Sequence, residues 1–327
     1  MTFYTDAAAV SAFFALCGLT LFLAARKDAA AIEVCVAGCA AGLYVTSKTQ
    51  HAFAGIPVAA FLVVQSVRMA GRGKIAARCL AAGLVIATIA MHQTTPEVYS
   101  IDPFFSVVFY EIVGHSQQPE RDLAALGLGP EHAAAKGMYT YQDQWPANDV
   151  TWKLNVYRQV GGFGGLARYY LSHPARAFDI MIAAMRESCR DIRPLLLANF
   201  RRQDGYPPGS QSRVFGLWSA FKRWIYMEYS PYLLLVYVAG LAAGIGLWTR
   251  GGAAGPWILM VWTIGFGELL ISTLCDACET SRHLLLFHAA TDVLVGVLVA
   301  CGVRGLTWLA TVCTRQRMWK WRAAPAA

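Results

Sequence analysis

The sequence predicts an all-α polytopic membrane protein with about seven transmembrane helices and a largely helical external domain between helices four and five. Hydrophobic residues make up 56% of the 327 residues and charged residues only 15%, which lies outside the usual range of soluble domains. A helix needs about 20 mostly apolar residues to cross a bilayer, and seven segments approach that length. They are residues 8–25, 29–46, 52–69, 76–92, 230–248, 256–274 and 284–303.

The basic residues in the short loops predict the orientation of these helices, because Lys and Arg favour the cytoplasmic side. One set of loops holds most of them: Arg26, Lys27, Arg68, Arg72, Lys74, Arg78, Arg250, Arg304, Arg315, Arg317, Lys320 and Arg322. The N-terminus, residues 93–228 and residues 275–288 are therefore predicted to face outward. The formal net charge of +8 is explained by these loops, so nucleic acid is not predicted as a partner.

Four regions follow from this pattern. Residues 1–92 form a four-helix transmembrane region, 93–228 an external soluble loop domain, 229–303 a three-helix transmembrane region, and 304–327 a cytoplasmic basic and aromatic tail. Within the external domain, Pro119 and the acids that follow it predict a short helix in 119–131. Two more helices are predicted near 164–171 and from 174 to about 193, separated at His173-Pro174.

Three acidic residues lie within the predicted spans, where a carboxylate is costly unless it faces a cavity or a partner. They are Glu33, Glu268 and Asp292. We interpret Glu33 and Asp292 as residues that contact neighbouring helices.

The segment CDACETSRHLLLFH, residues 275–288, has the ligand spacing of a small zinc knuckle. Cys275, Cys278, His283 and His288 would be the ligands. The run of apolar residues from 284 to 287 instead predicts a helix, in which five residues turn the side chain by about 140°. His283 and His288 then face different directions. No metal site is predicted, and the two cysteines are interpreted as a disulfide or a thiol pair without a catalytic role.

Glu279, Arg282 and His283 make a different set at the outer end of the same helix. Their spacings of three and four residues place them together on a helix. A guanidinium matches phosphate oxygens, and a carboxylate can hold either basic group in place. Two interpretations remain open at this point: a phosphate-binding site at the level of the lipid headgroups, or an interfacial ion pair that caps the helix.

A second outward turn, SKTQH at residues 47–51, joins the second and third helices. It places Lys48 on the side that basic residues otherwise avoid. Lys48 either contacts an anionic ligand or extends to the membrane interface as an anchor, and the sequence leaves both open.

A family resemblance is carried by the outward turns, the ExxRH sequence and the segments SQQPERDLAALGL and YYLSHPARAFDIM. The chain resembles bacterial members of the GT-C glycosyltransferase superfamily. The resemblance implies transfer of a sugar from a polyprenyl-phosphate carrier to a glycan or lipid, outside the bacterial cytoplasmic (inner) membrane. It also implies that the large loop faces the periplasm, in contact with membrane lipids. Six residues would then line the outer cavity, with Lys48 and Arg282 on the carrier phosphate: Lys48, Gln50, His51, Glu279, Arg282 and His283.

The chain departs from that superfamily at its first external loop, which usually carries the catalytic acid in a long segment. Here this loop is only SKTQH, and the opening TFYTDAAAV resembles a middle helix of such enzymes, so the resemblance implies their C-terminal part. Asp6 and Asp102 are the nearest candidates for a general base. A divalent cation is compatible with such chemistry, although no residue set specifies a site. The alternative function is a non-enzymatic membrane protein, a transporter or assembly component, that binds a lipid headgroup.

Overall fold

A computed structural model describes the backbone of residues 2–190, 202–207, 210, 217–229, 232–277 and 280–322. Side chains are described in the same ranges except 2–6, 190, 202, 218–219, 226–229, 281, 305–306 and 308–322. Every regular element within these ranges is helical, as predicted. The α-helices are α1 Thr2–Ala25, α2 Ala31–Ser47, α3 Gly55–Ser66, α4 Gly71–Thr94, α5 Val98–Ser106, α6 Pro119–Ala125, α7 Val150–Val160, α8 Gly162–Ser172, α9 Pro174–Arg190, α10 Leu217–Tyr229, α11 Tyr232–Thr249, α12 Ala254–Leu274, α13 Thr280–His283 and α14 Leu285–Arg322.

Five of the described helices are long and apolar enough to cross a membrane. They are Ala7–Ala25, Gly71–Thr94, Tyr232–Thr249, Ala254–Leu274 and Leu285–Arg304. The second predicted span is not among these five, because α2 has only 17 residues. The third, predicted over 52–69, is shorter still: its first three residues belong to the 3-10 helix Thr49–Ala54, and α3 has 12 residues, or about 18 Å. The expected multi-pass helical architecture is therefore found with five candidate spans.

The apolar helices share one hydrophobic core, which α1–α4, α11, α12 and α14 build together. Polar contacts fix the two halves of this bundle in register. The Trp257 indole of α12 donates to the Thr20 hydroxyl of α1 at 3.0 Å. At one end of the bundle the Arg68 guanidinium donates to the Gly251 carbonyl at 3.2 Å, and at the other end the Gln50 amide donates to the Ser272 hydroxyl at 2.7 Å. The turns around 48–54 and 275–283 consequently meet at the same end.

Buried residues between Phe104 and Ile180 form a second hydrophobic core at that end of the bundle. The helix predicted in 119–131 is α6, and the two predicted helices on either side of His173-Pro174 are α8 and α9. After α5 the chain widens into a π-helix, Val107–Ile112. Arg176 of α9 donates to the carbonyl oxygens of Glu111 and Ile112, at 3.2 and 3.0 Å. Since α9 also packs against α12 and α13, it connects the external segment to the bundle.

Of the two acids interpreted as contacts between helices, Asp292 has a partner on another helix, whereas Glu33 bonds to residues of the link before its own helix. Glu33 accepts from the Arg26 guanidinium and from the backbone N–H of Ala30 at 2.8 Å. Asp292 of α14 accepts from the Lys222 ammonium of α10 at 2.9 Å, and the Lys222 side chain is buried. This ion pair ties the amphipathic helix α10 to the bundle.

Candidate functional site

Glu268 of α12 is fully buried and is the centre of a polar network at the end of the bundle. Its Oε1 accepts from the Tyr44 hydroxyl at 2.9 Å and lies 2.7 Å from His51 Nδ1. Its Oε2 accepts from the Gln50 amide at 3.0 Å. Three donors from α2 and the 3-10 turn thus surround one carboxylate, which offsets the cost of burying it.

Gln50 extends this network to α13. Its Nε2 donates to Glu268 and to the Ser272 hydroxyl at 2.7 Å, and its Oε1 lies 3.3 Å from His283 Nδ1. The Ser272 hydroxyl in turn donates to the His283 carbonyl oxygen at 2.9 Å. The SKTQH turn and the short helix before α14, which are far apart in sequence, are therefore joined through buried hydrogen bonds.

Five of the six ligand-binding residues that the sequence suggested line one small cavity beside this network. They are Lys48, Gln50, His51, Arg282 and His283. The cavity volume is about 10 Å³, which is room for about one water molecule. The sixth residue, Glu279, lies outside the described residues, as does the side chain of Asp6.

His283 is a neutral base in this setting. Burial, together with the charges of Lys48 and Arg282, lowers the pKa of its imidazole to about 3. Its Nε2 lies 3.2 Å from Asp276 Oδ2 and 3.4 Å from an Arg282 guanidinium nitrogen. His283 therefore stands between two basic side chains and one acid.

A second and larger cavity of about 440 Å³ lies between the external segment and the end of α12. Asp276 lines it, so the contact between Asp276 and His283 separates the two cavities. Its other polar and aromatic lining residues are Tyr110, Glu111, His115, Tyr139, Tyr141, Glu187, Thr273 and Thr280. Three carboxylates line the cavity, and none of its described lining residues is Lys or Arg.

The π-helix places two of these residues in the cavity wall. Tyr110 and Glu111 both belong to it, and π-helical turns are frequent at functional sites. Burial raises the pKa of the Glu111 carboxyl above its usual range, and Glu187 adds to this rise while His115 and Arg176 oppose it. Glu111 also lies 3.7 Å from His115 Nδ1. The cavity therefore contains carboxyl groups in different electrostatic environments.

The acids of this site were missed as site residues by sequence reasoning. Glu268 was recognised only as a costly intramembrane acid, while Glu111, Glu187 and Asp276 were not singled out. The signal that could have found Asp276 is its position directly after the last residues of a span, within the segment that carries His283. No comparable sequence signal marks Glu111 or Glu187, because the external fold brings them to the cavity.

Asp102, one of the two suggested general bases, lies elsewhere in the external segment. Its carboxylate accepts from the Lys153 ammonium at 2.6 Å and from the Thr140 hydroxyl at 2.7 Å. It lines neither of the two cavities. The position of Asp102 indicates a structural ion pair within the second core.

The zinc-knuckle spacing does not correspond to a shared site in the part of the chain that the structure describes. His283 contacts Gln50 and Asp276, whereas His288 Nε2 lies 3.0 Å from the Ser188 hydroxyl. Among the described residues no group of three or more His, Cys, Asp and Glu is arranged to hold a metal ion.

Cys275 is a free thiol. Burial raises the pKa of its thiol to about 11, which makes it a poor nucleophile. Cys278 lies outside the described residues, so the predicted cysteine pair stays a prediction.

These features define a class: an all-helical membrane protein whose polar residues gather in two cavities at one end of its apolar helices. Residues 1–320 match the family described as the YfdI N-terminal transmembrane domain, and the chain belongs to that family. Comparison with curated proteins and with solved structures gave no match. The membership supports the membrane assignment, and the resemblance to GT-C glycosyltransferases stays a prediction.

Proposed function

We propose that this chain is a membrane glycosyltransferase that transfers a sugar from a polyprenyl-phosphate donor to a glycan or lipid acceptor. Its seven apolar helices would lie in the bacterial cytoplasmic membrane, with both cavities on the periplasmic side. The observation that carries the proposal is the adjacency of a basic cavity and an acidic cavity, which share the Asp276–His283 contact. Transfer from a phosphate carrier requires positive charge at the leaving group and a carboxylate near the acceptor.

The basic cavity would receive the carrier phosphate. Lys48 and Arg282 reach it from two different segments, and a guanidinium and an ammonium are the usual protein partners of phosphate oxygens. The cavity volume of about 10 Å³ is too small for a phosphate group. Binding would therefore require Lys48 or Arg282 to move outward, and the polyprenyl chain would remain among the apolar helices.

The acidic cavity would receive the sugar and the acceptor hydroxyl. Its volume of about 440 Å³ falls within the range of about 300–1,000 Å³ that is common for small-molecule sites. Carboxylates and tyrosine hydroxyls offer acceptors and donors for sugar hydroxyls. The absence of Lys and Arg among its described lining residues disfavours an acidic sugar in this position.

The proposed reaction is a displacement at the anomeric carbon. The acceptor oxygen forms a bond to that carbon, the bond from the carbon to the phosphate oxygen breaks, and the phosphate keeps the electron pair. Negative charge then increases on the phosphate, where Lys48 and Arg282 stabilise it.

Binding of polyprenyl phosphate to the purified protein in detergent tests the donor site. Lys48→Ala and Arg282→Ala are each expected to weaken binding by about tenfold or more, since hydrogen bonds to charged groups contribute about 1.5–3 kcal/mol. Lys27→Ala and Arg72→Ala are the matched controls, because both side chains are exposed and lie at the opposite end of the bundle. Unchanged binding in both site variants would refute the donor site.

Transfer itself separates the proposal from the alternative of a headgroup-binding protein. Wild-type protein is incubated with polyprenyl-phosphate sugars and lipid or glycan acceptors, and the products are separated by mass. Transfer that is lost in Lys48→Ala and retained in Lys27→Ala supports the enzyme. Carrier binding without transfer from any donor supports a transporter or assembly component.

A further inference from the structure

The hydrogen-bond network determines which nitrogen of His283 carries a proton. Gln50 Nε2 donates to Glu268 Oε2 and to Ser272 Oγ, at 3.0 and 2.7 Å. The Ser272 hydroxyl donates its own proton in a hydrogen bond to the His283 carbonyl oxygen at 2.9 Å, so it acts as an acceptor towards Gln50. This fixes the orientation of the Gln50 amide, so its Oε1 faces His283 Nδ1 at 3.3 Å. A carbonyl oxygen only accepts hydrogen bonds, and Nδ1 therefore carries the proton of the neutral ring.

His283 Nε2 is consequently an acceptor in the neutral ring, and it faces a second acceptor. Asp276 Oδ2 lies 3.2 Å away, while an Arg282 guanidinium nitrogen at 3.4 Å is placed to donate to Nε2. Two lone pairs repel at this distance, so a proton between Oδ2 and Nε2 stabilises the contact. Because burial and the charges of Lys48 and Arg282 disfavour an imidazolium, we assign this proton to Asp276 in the ligand-free protein.

We infer that Asp276 is the acid–base residue of the large cavity, and that an anion bound beside Lys48 and Arg282 moves its proton to His283. This inference rests on the proposed function, since the anion is the carrier phosphate. It names the catalytic carboxylate that the first external turn of this chain lacks.

The direction of the proton shift follows from the charges around the pair. Lys48, Arg282 and His51 are the basic groups acting on His283, and a phosphate between Lys48 and Arg282 counters their positive charge. The imidazolium then becomes easier to form. On the other side, Glu111, Glu187 and His115 line the cavity with Asp276. Donor binding therefore leaves Asp276 as a carboxylate at the moment when a base is required.

The proton balance of the transfer is complete with these two residues. The proton of the acceptor hydroxyl goes to Asp276 as the acceptor oxygen bonds to the anomeric carbon and the phosphate leaves with its electron pair. His283 keeps the proton on Nε2 during this step. When polyprenyl phosphate departs, Lys48 and Arg282 again disfavour the imidazolium, and His283 releases one proton to water.

The kinetic test compares Asp276→Asn with Asp143→Asn, which makes the same substitution at an exposed position of the external segment. Asp276→Asn is expected to lower turnover by about 10²–10⁴-fold, the usual contribution of general base catalysis. Its melting temperature should stay at the wild-type value. Asp143→Asn should retain wild-type turnover.

Infrared spectroscopy tests the proton shift without any turnover. The band of a protonated carboxyl group that Asp276→Asn lacks is expected in the ligand-free wild type at neutral pH. Addition of polyprenyl phosphate should diminish it, whereas polyprenol without phosphate should not. In His283→Gln the band should no longer respond to polyprenyl phosphate, because the proton has no acceptor.

The outcomes separate the two levels of inference. Wild-type transfer with Asp276→Asn turnover within threefold of wild type would overturn the role of Asp276 and leave the proposed function intact. An infrared band that is absent, or that polyprenyl phosphate leaves unchanged, would overturn the proton shift. Absence of transfer by the wild type with every donor would overturn the proposed function, and this inference with it.

Discussion

Replacement of Glu268 by Ala is expected to destabilise the folded protein strongly. Tyr44 and His51 both contact Glu268 Oε1, while Gln50 Nε2 contacts Oε2 and keeps the Ser272 hydroxyl as a second acceptor. The substitution therefore deprives two buried donors of their acceptor. Each such group costs about 1–3 kcal/mol, so the free energy of unfolding should fall by about 2–6 kcal/mol.

Two further variants at this network make the expectation specific. In Glu268→Gln the carbonyl oxygen can still accept from Tyr44 and His51, but the new amide N–H group faces Gln50 Nε2, itself a donor. A smaller loss of about 1–3 kcal/mol is expected. Tyr44→Phe removes one donor and leaves Glu268 with two others, so about 1 kcal/mol should be lost.

Denaturant unfolding in detergent, followed by tryptophan fluorescence, measures these differences. The control is Glu33→Ala, since Glu33 also lies in an apolar helix but pairs with Arg26 near the surface, where an ion pair contributes about 0–1 kcal/mol. A Glu268→Ala variant as stable as Glu33→Ala would contradict a central role for this network.

Three other predictions concern the bundle and α13. Breaking the buried Lys222–Asp292 pair by Asp292→Ala should cost about 3–5 kcal/mol of unfolding free energy, and adding Lys222→Met should restore much of it. The fully buried Gln65 has no hydrogen-bond partner among the described residues, so Gln65→Leu should raise the melting temperature because a desolvated amide is removed. The pKa of His283 is lowered to about 3 in the folded protein, so His283 binds a proton more tightly in the unfolded chain than in the folded one. Stability should therefore fall as the pH drops from about 6.5 towards 3, by up to about 1.4 kcal/mol per pH unit from this group. His283→Gln should remove that part of the slope in parallel denaturation series.

The helical class and five of the spans could be predicted because length and hydropathy determine them. The third predicted span shows the limit of that reasoning. It was predicted over 52–69, but residues 52–54 belong to the 3-10 helix Thr49–Ala54 and α3 begins only at Gly55. The 3-10 turn brings Gln50 and His51 to Glu268. A hydropathy profile measures how apolar a segment is and carries no information on such tertiary contacts.

The candidate site could be predicted where its residues come from the two short turns of the bundle. Lys48 was suggested from charge placement, Arg282 from local spacing and His51 through the family resemblance, and all three line one cavity. The acidic cavity could not be predicted in this way. Glu111 reaches it through a π-helix whose carbonyl groups accept hydrogen bonds from Arg176, and the role proposed for Asp276 depends on its contact with His283. Both depend on contacts between segments that are distant in sequence.

Stability and chemistry at this site depend on the same side chain, the Gln50 amide. Glu268 and Ser272 together orient that amide, and its orientation determines which nitrogen of His283 can share a proton with Asp276. A buried carboxylate within a span is costly, and here it lies about 9 Å below the end of α12, six residues before Leu274. Glu268 thus acts on the proposed reaction at a distance, because it holds the proton position of a residue that it does not contact. Glu268→Gln should for this reason impair transfer more than its moderate loss of stability would suggest.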